Sequence, residues 1–171
     1  VTALKQLAVM SGTLMQDKDL SNECTTFAGE VQQAIQQYAV AADPGFGRIY
    51  AYEVDGFGNH LYMDDSNVPS LLALPYIDSS LADDPVYQNT RRFILSKSNP
   101  YFFRGKYAEG GGSPHTLDDM IWPLSIIVRA ITSQEEEEIK YCLHTLKTTH
   151  AGTSFMHESF NKDDPKKFTR K

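Results

Sequence analysis

Apolar residues recur at helical spacing along most of the chain. Leu4, Leu7, Ala8 and Leu14 predict a first helix over about 2–15, weakened toward its end by Gly12. Cys24, Phe27, Ala28, Val31, Ala34, Ile35 and Tyr38 give a better stripe. They predict a helix from Ser21 or Asn22 to about Ala42, with Ser21 as a cap and Asp43-Pro44-Gly45 as its stop. A buried helix follows Pro69 through Leu71–Leu74. Another covers Pro85 to about Ser96, with Val86, Tyr87, Phe93 and Ile94 inward. Met120, Trp122, Leu124, Ile126, Ile127 and Ala130 mark the next, with Pro123 early, where proline costs least. The last is capped by Thr132 or Ser133, and Tyr141, Cys142, Leu143 and Leu146 are its apolar positions.

Period-two alternation is local. Tyr50, Tyr52 and Val54 oppose Ala51, Glu53 and Asp55, then Gly56, Gly58 and Asn59 turn the chain and His60–Met63 return it as a hairpin. Tyr101–Gly105 reads as a short aromatic strand, 109–115 as a flexible glycine loop and 153–171 as polar loop. The prediction is a mainly α fold: one domain over 1–171, about six helices in antiparallel pairs, a short β-hairpin in a connection, as in a helical-hairpin array or part of an α/α toroid.

Composition narrows the function. A 41% hydrophobic content over 171 residues supports a real core. The net charge of −6 and the lack of any long Lys/Arg cluster argue against a nucleic-acid partner. No apolar run approaches the roughly 20 residues of a membrane span. Val1 is not an initiator Met and no signal peptide follows it, so the chain reads as a processed product or a fragment. Cys24 and Cys142 are too few for a disulfide framework or a zinc site and read as buried thiols.

Four Asp-Asp pairs are candidate chemistry. Those at 83–84 and 163–164 precede Pro, where Asp starts turns, and that at 118–119 sits near a helix start. The pair Asp64-Asp65, with Ser66 and Asn67, offers more polar groups than a helix cap needs, so it is the candidate site. Divalent-metal binding by that pair is one reading. Glu135–Glu138 match a helix dipole on a solvated face. Gly110–Gly112 lack the Gly-Lys-Ser/Thr ending of a phosphate loop, although they could bring backbone and His115 close to a ligand. His157-Glu158 lies between Phe155 and Phe160, a setting in which a carboxylate can be tuned for acid–base work. Gly-x-Ser-x-Gly is absent, and neither cysteine adjoins a histidine in a reactive context.

Four segments then carry a resemblance. AYEVDGFGN at 51–59, MDDSNVPSLLALPY at 63–76, GGSPHT…IWPLS at 111–125 and FMHESFNKDDPKKFTR at 155–170 resemble, in order, glycoside hydrolase family 125, the exo-α-1,6-mannosidases. The resemblance implies an inverting, metal-independent glycosidase on a six-hairpin α/α toroid. It needs no cofactor and acts on a mannose-containing oligosaccharide or N-glycan. It implies Glu158 as the general base, with Asp64, Asp65, Asn67, His115, Trp122, His157 and Arg170 lining or supporting the mannose pocket. The family's general acid lies in an Arg-Pro-Ser-Asp-Asp stretch N-terminal to these segments, and no such stretch occurs here. The family also continues beyond Phe-Thr-Arg into an aromatic-rich helix. The expectation is therefore the C-terminal portion of such an enzyme, truncated at both ends. A ring so cut would leave Leu71-Leu72-Leu74, Ile121-Trp122 and Ile126-Ile127 without partners and favour self-association.

Three functions stay open: a mannosidase, an inactive carbohydrate-binding or interaction remnant, and a metal-dependent lyase or hydrolase built on Asp64-Asp65. Turnover of an α-1,6-linked mannobiose separates the first two, and chelator sensitivity the third.

Overall fold

The computed structural model describes residues 1–170. Among them are six α-helices with small antiparallel sheets in the connections, so the chain is mainly helical as predicted. Helix α1 (Thr2–Thr13) runs antiparallel to α2 (Lys18–Tyr38). The Ser21 hydroxyl donates to the Ala8 carbonyl at 2.8 Å, and Lys5 reaches Gln32. Gly12, near the helix end at Thr13, is also a point of close approach: an added Cβ would lie 3.0 Å from the Ser21 hydroxyl.

The boundaries of α2 differ from the prediction at both ends. Asp17, whose carboxylate accepts from the Leu20 amide at 2.9 Å, is the cap, which frees Ser21 to tie α2 to α1. The helix stops at Tyr38 because Val40–Asp43 (β1) finds a strand partner in Gly47–Tyr50 (β2), with Val40 opposite Tyr50. Asp43 accepts from the Gly45 and Phe46 amides and closes that hairpin. Tyr50 is thereby taken from the predicted hairpin, which shrinks to Glu53–Val54 (β3) against His60–Leu61 (β4).

The helix expected from Leu71 is a single turn, α3 (Leu74–Ile77), followed by a 3-10 turn at Ser79–Leu81. Pro69, read as opening the helix, lies in the turn before it behind a cis peptide bond. Helix α4 (Pro85–Ile94) is capped by Asp84, which accepts from the Val86 and Tyr87 amides and also from the Tyr50 hydroxyl.

The glycine segment is not a flexible loop. Phe102–Arg104 (β5) pairs with Glu109–Gly111 (β6), and the glycines permit backbone contact on both sides. A methyl on Gly112 would collide with the Met120 carbonyl oxygen and the Phe103 ring. Gly112→Ala is expected to cost about 1–3 kcal/mol, the usual cost of overpacking, as a lowered urea midpoint with unchanged m-value.

Met120 and Ile121, predicted helical, form β7 (Met120–Ile121), and α5 (Pro123–Ile131) starts at the proline. Helix α6 (Glu136–Thr148) has no side-chain cap at Glu135, so the predicted Thr132 or Ser133 cap is displaced. Ser133 instead accepts from the Glu135 amide and donates to Glu138. The predicted C-terminal polar loop is two strands, β8 (Ser159–Asn161) and β9 (Asp164–Thr169), in a sheet of order β7-β8-β9. Phe160 and Phe168 face each other across that pair, and the Asn161 side chain accepts from the Asp163 and Asp164 amides at the turn. Alternation was hidden by the Lys-Lys pair beside Phe168.

Two apolar cores result. One gathers Ile49, Leu72, Ala73, Phe93, Ile94 and Val128, and the other Ala108, Ile121, Ile126, Cys142 and Phe160. Leu72, Ile121 and Ile126, expected to lack partners, are thus buried within the chain. The large exposed apolar residues of α1 and α2 are instead Leu7, Val9, Met10, Phe27, Ile35 and Tyr38. No helix among the described residues is long and apolar enough to cross a membrane.

Candidate active site

The turn after β4 is built by its own carboxylates. Asp64 is buried, and its two oxygens accept from the Leu71 amide at 2.8 Å and the Leu72 amide at 3.1 Å. This is not a helix cap, since α3 starts only at Leu74 and has no side-chain cap; Asp64 braces the turn before it with both oxygens engaged. Burial pushes its pKa up to about 7, against the opposing pull of the Leu71 and Leu72 amides.

A raised carboxyl pKa has a definite sign in stability. Between its ordinary value of 3.8 and about 7, the folded protein holds a proton that the unfolded chain has released. Stability from this group therefore falls as pH rises through that window. Asp64→Asn is expected to flatten the pH dependence of unfolding between pH 5 and 8 by about 1–2 kcal/mol. Urea titrations of both proteins at the two pH values would show it.

Asp65 is also buried, but its oxygens are held differently. Its Oδ2 accepts from the Asn67 side-chain amide at 3.0 Å and lies 3.9 Å from Nε2 of the mostly exposed His115. A carboxylate has about four acceptor positions, so Asp65 keeps capacity beyond Asn67. Ser66 fastens the turn to the glycine strand: its amide and hydroxyl both donate to the Gly112 carbonyl, at 3.2 and 2.7 Å. From there Ser113 accepts from the His115 amide, and Thr116 accepts from the Trp122 indole at 3.0 Å. The Trp122 amide donates to the Gly111 carbonyl at 2.9 Å.

The other carboxylate comes from the C-terminal sheet. Glu158 precedes β8 and its amide donates to the Thr169 carbonyl at 3.1 Å. Its Oε2 accepts from the Thr169 hydroxyl at 3.0 Å, and its Oε1 lies 3.3 Å from the Arg170 guanidinium. The side chain is 24% exposed, so one oxygen is pinned while the carboxylate still meets solvent. His157 is buried, stacked on Phe168 with ring centroids 3.7 Å apart, and its Nδ1 donates to the Arg170 carbonyl at 3.1 Å. His157 thus fixes the backbone from which Arg170 extends.

One hydrogen-bonded path joins these groups. Ser66 binds Gly112, Gly111 binds Trp122, and β7, just before Trp122, pairs with β8, just after Glu158. Asp65, Asn67, His115 and Trp122 fall on one segment of this path, and His157, Glu158 and Arg170 on the other. Among the described residues no side-chain hydrogen bond or ion pair runs directly between the two groups. Sequence reasoning missed Tyr52, Ser159 and Thr169. The Tyr52 hydroxyl has its pKa raised by burial and then by the charges of Asp65 and Asp64. Its place in the 50–54 alternation was the available signal. Behind the turn, Asp64, Ser66, Ser70, Asn99, Ser125 and Arg129 line a cavity of about 20 Å³, room for one water.

Metal chemistry would need several oxygen ligands at one point. Among the described residues no three His, Cys, Asp or Glu side chains converge in that way, and Asp64 spends both oxygens on backbone amides. The described residues thus offer no ready set of carboxylate ligands around Asp64-Asp65. The class this defines is a helical protein with separate carboxylates set among polar and aromatic groups, as in enzymes that hydrolyse sugars.

The comparisons give the family. The model for metal-independent alpha-mannosidase (GH125) matches residues 1–171, and the chain belongs to that glycoside hydrolase family. It is 47% identical over 153 residues to the meiotically up-regulated gene 157 protein of Schizosaccharomyces pombe (strain 972 / ATCC 24843), covering 89% of this chain and 30% of that protein. It also superposes with a TM-score of 0.94 and 41% identity on a Streptococcus pneumoniae metal-independent alpha mannosidase in a non-productive complex with alpha-1,6-mannobiose. That match covers 98% of this chain and 40% of the other. The chain thus spans less than half the length of either relative.

Proposed function

We propose that this chain is the base-bearing part of an inverting exo-α-1,6-mannosidase that acts on mannose-containing oligosaccharides such as N-glycans. The observation that carries the reading is Glu158, a part-exposed carboxylate with one oxygen pinned by Thr169 and the other turned toward Arg170. Such a group can take a proton from a water held against a sugar. Asp65, Asn67 and His115 offer acceptors and donors for adjacent mannose hydroxyls, Trp122 an apolar face, and Asp64 the rigid turn beneath them. Inversion requires a second carboxyl group about 6.5–9.5 Å from the base, acting as proton donor to the leaving oxygen. On this reading the donor comes from residues beyond these 171, and the helix pairs are one arc of an α/α toroid forming a single catalytic domain. The family's metal independence and the neighbour's bound mannobiose support the reading.

The test is a linkage panel with the intact protein. Release of mannose from α-1,6-mannobiose, unchanged by a chelator, is expected, with little release from α-1,2- or α-1,3-mannobiose. Binding without release would make the protein an inactive sugar binder, and preference for another linkage would overturn the specificity.

A further inference from the structure

We propose that Thr169 is a positioning residue for Glu158, and that a Ser159–Thr169–Glu158 hydroxyl chain decides which carboxylate oxygen receives the proton of the attacking water. The proposal rests on Glu158 being the general base and goes beyond it by naming what orients that base.

The geometry fixes a direction. The Thr169 hydroxyl carries one proton, and an ionised carboxylate only accepts, so that proton lies on the 3.0 Å contact to Oε2. Ser159 Oγ lies 2.7 Å from the same Thr169 oxygen, so Ser159 is its donor. Ser159 is fully buried, and its hydroxyl has no other partner among the described residues. Each proton in the chain is therefore committed. The strands hold the three residues rigidly, since Ser159 and Thr169 are directly opposed in the β8–β9 ladder.

Reversal shows what the chain forbids. Were Oε2 protonated and donating to Thr169, the Thr169 proton would turn to Ser159 and leave the Ser159 proton buried without an acceptor, a state proteins avoid. Were it protonated and still accepting, the bond from Thr169 would lose the charge that strengthens it. Oε2 therefore stays an acceptor and Oε1 takes the proton. Arg170 stands beside Oε1 at ion-pair distance, its side chain 81% exposed, and the Glu158 side chain itself keeps 24% exposure. In the step itself, the water oxygen forms the bond to the anomeric carbon and passes one proton to Oε1. The glycosidic bond breaks with its electron pair going to the leaving oxygen, which is protonated by the general acid carboxyl.

The test uses Thr169→Val, which keeps the shape and removes the hydroxyl, and Thr169→Ser, which restores it, in the intact protein on α-1,6-mannobiose. Thr169→Val is expected to lower kcat on the order of 10- to 100-fold, the worth of a hydrogen bond to a charged group, with KM within about twofold and Thr169→Ser recovering most of the loss. A merely structural role would move the thermal midpoint and KM without rescue by Ser. Should the valine variant not fold, Ser159→Ala decides. It is expected to lower kcat several-fold with KM unchanged, and an unchanged kcat overturns the proposal. Glu158→Gln is assayed alongside. If it is inactive while Thr169→Val matches wild type, the hydroxyl chain is wrong and the base stands. If Glu158→Gln is fully active, both fall.

Discussion

Glu158→Gln is expected to lower turnover of α-1,6-mannobiose by about 10²–10⁴-fold, the usual worth of a general base, while mannose binding stays largely intact. The amide keeps the size of the carboxylate and can still accept from the Thr169 hydroxyl through its oxygen, so the loop before β8 has no reason to move. What it loses is the ability to accept a proton from water. The Arg170 contact also loses its charge, but that pair is exposed and contributes little. Kinetics on the disaccharide and calorimetry with mannose would separate the two effects. A variant retaining more than about a tenth of wild-type kcat would remove Glu158 from the role of base.

The second large effect is on stability and centres on Glu138. The sequence pattern places it among four glutamates on a solvated face, and Glu136 and Glu137 do sit there, paired with Lys140. Glu138 instead points inward. It takes Arg91 at 2.6 Å and Arg129 at 2.7 Å, and Arg129 continues to Glu109 of β6 at 3.0 Å. Burial pushes the Glu138 pKa up, but hydrogen bonds from Ser133, Arg129 and Arg91 outweigh it and hold the pKa down at about 2.

This depressed value means that the stability is present above the ordinary value of 4.5 and is lost as pH falls toward 2. Glu138→Gln leaves two largely buried guanidinium groups without their shared carboxylate. It is expected to cost about 2–3 kcal/mol at pH 7, somewhat below the value for a fully buried pair because of partial exposure. The difference between variant and wild type should shrink between pH 4.5 and 2. Equilibrium unfolding at several pH values tests both statements, and a pH-independent difference would contradict the ion-pair account. Because Arg129 lies on α5 just after Trp122, and Glu109 on the strand before Gly111, the same loss should loosen the path between the two halves of the site.

How much was legible follows the range of the interactions. Helices α4 and α5 could be read because their apolar stripes and their prolines lie within a few residues of one another. The β1–β2 hairpin could not, since Val40–Ala42 are as compatible with the end of a helix as with a strand, and only pairing with Ile49 and Tyr50 decides. The C-terminal sheet was missed for the same reason: Phe160 gains its meaning from Phe168 and Ile121. Glycines 110–112 looked mobile because the sequence does not show the neighbours that need the space. In the site, Asp64 and Asp65 are adjacent and chemically alike, and only the position of the Leu71 and Leu72 amides makes one a brace and leaves the other partly free. Glu158 is singled out by its motif alone. Thr169 and Ser159 are not legible, because strand pairing alone places their hydroxyls beside it.

The most direct test of the account is the configuration of the first product. The intact protein, treated with a chelator, is mixed with α-1,6-mannobiose, and the anomeric proton signals are followed by NMR before mutarotation sets in. An inverting hydrolysis with Glu158 activating water predicts β-mannose as the first sugar released, at a rate the chelator does not change. First appearance of α-mannose, or activity abolished by the chelator and restored by a divalent ion, would contradict it.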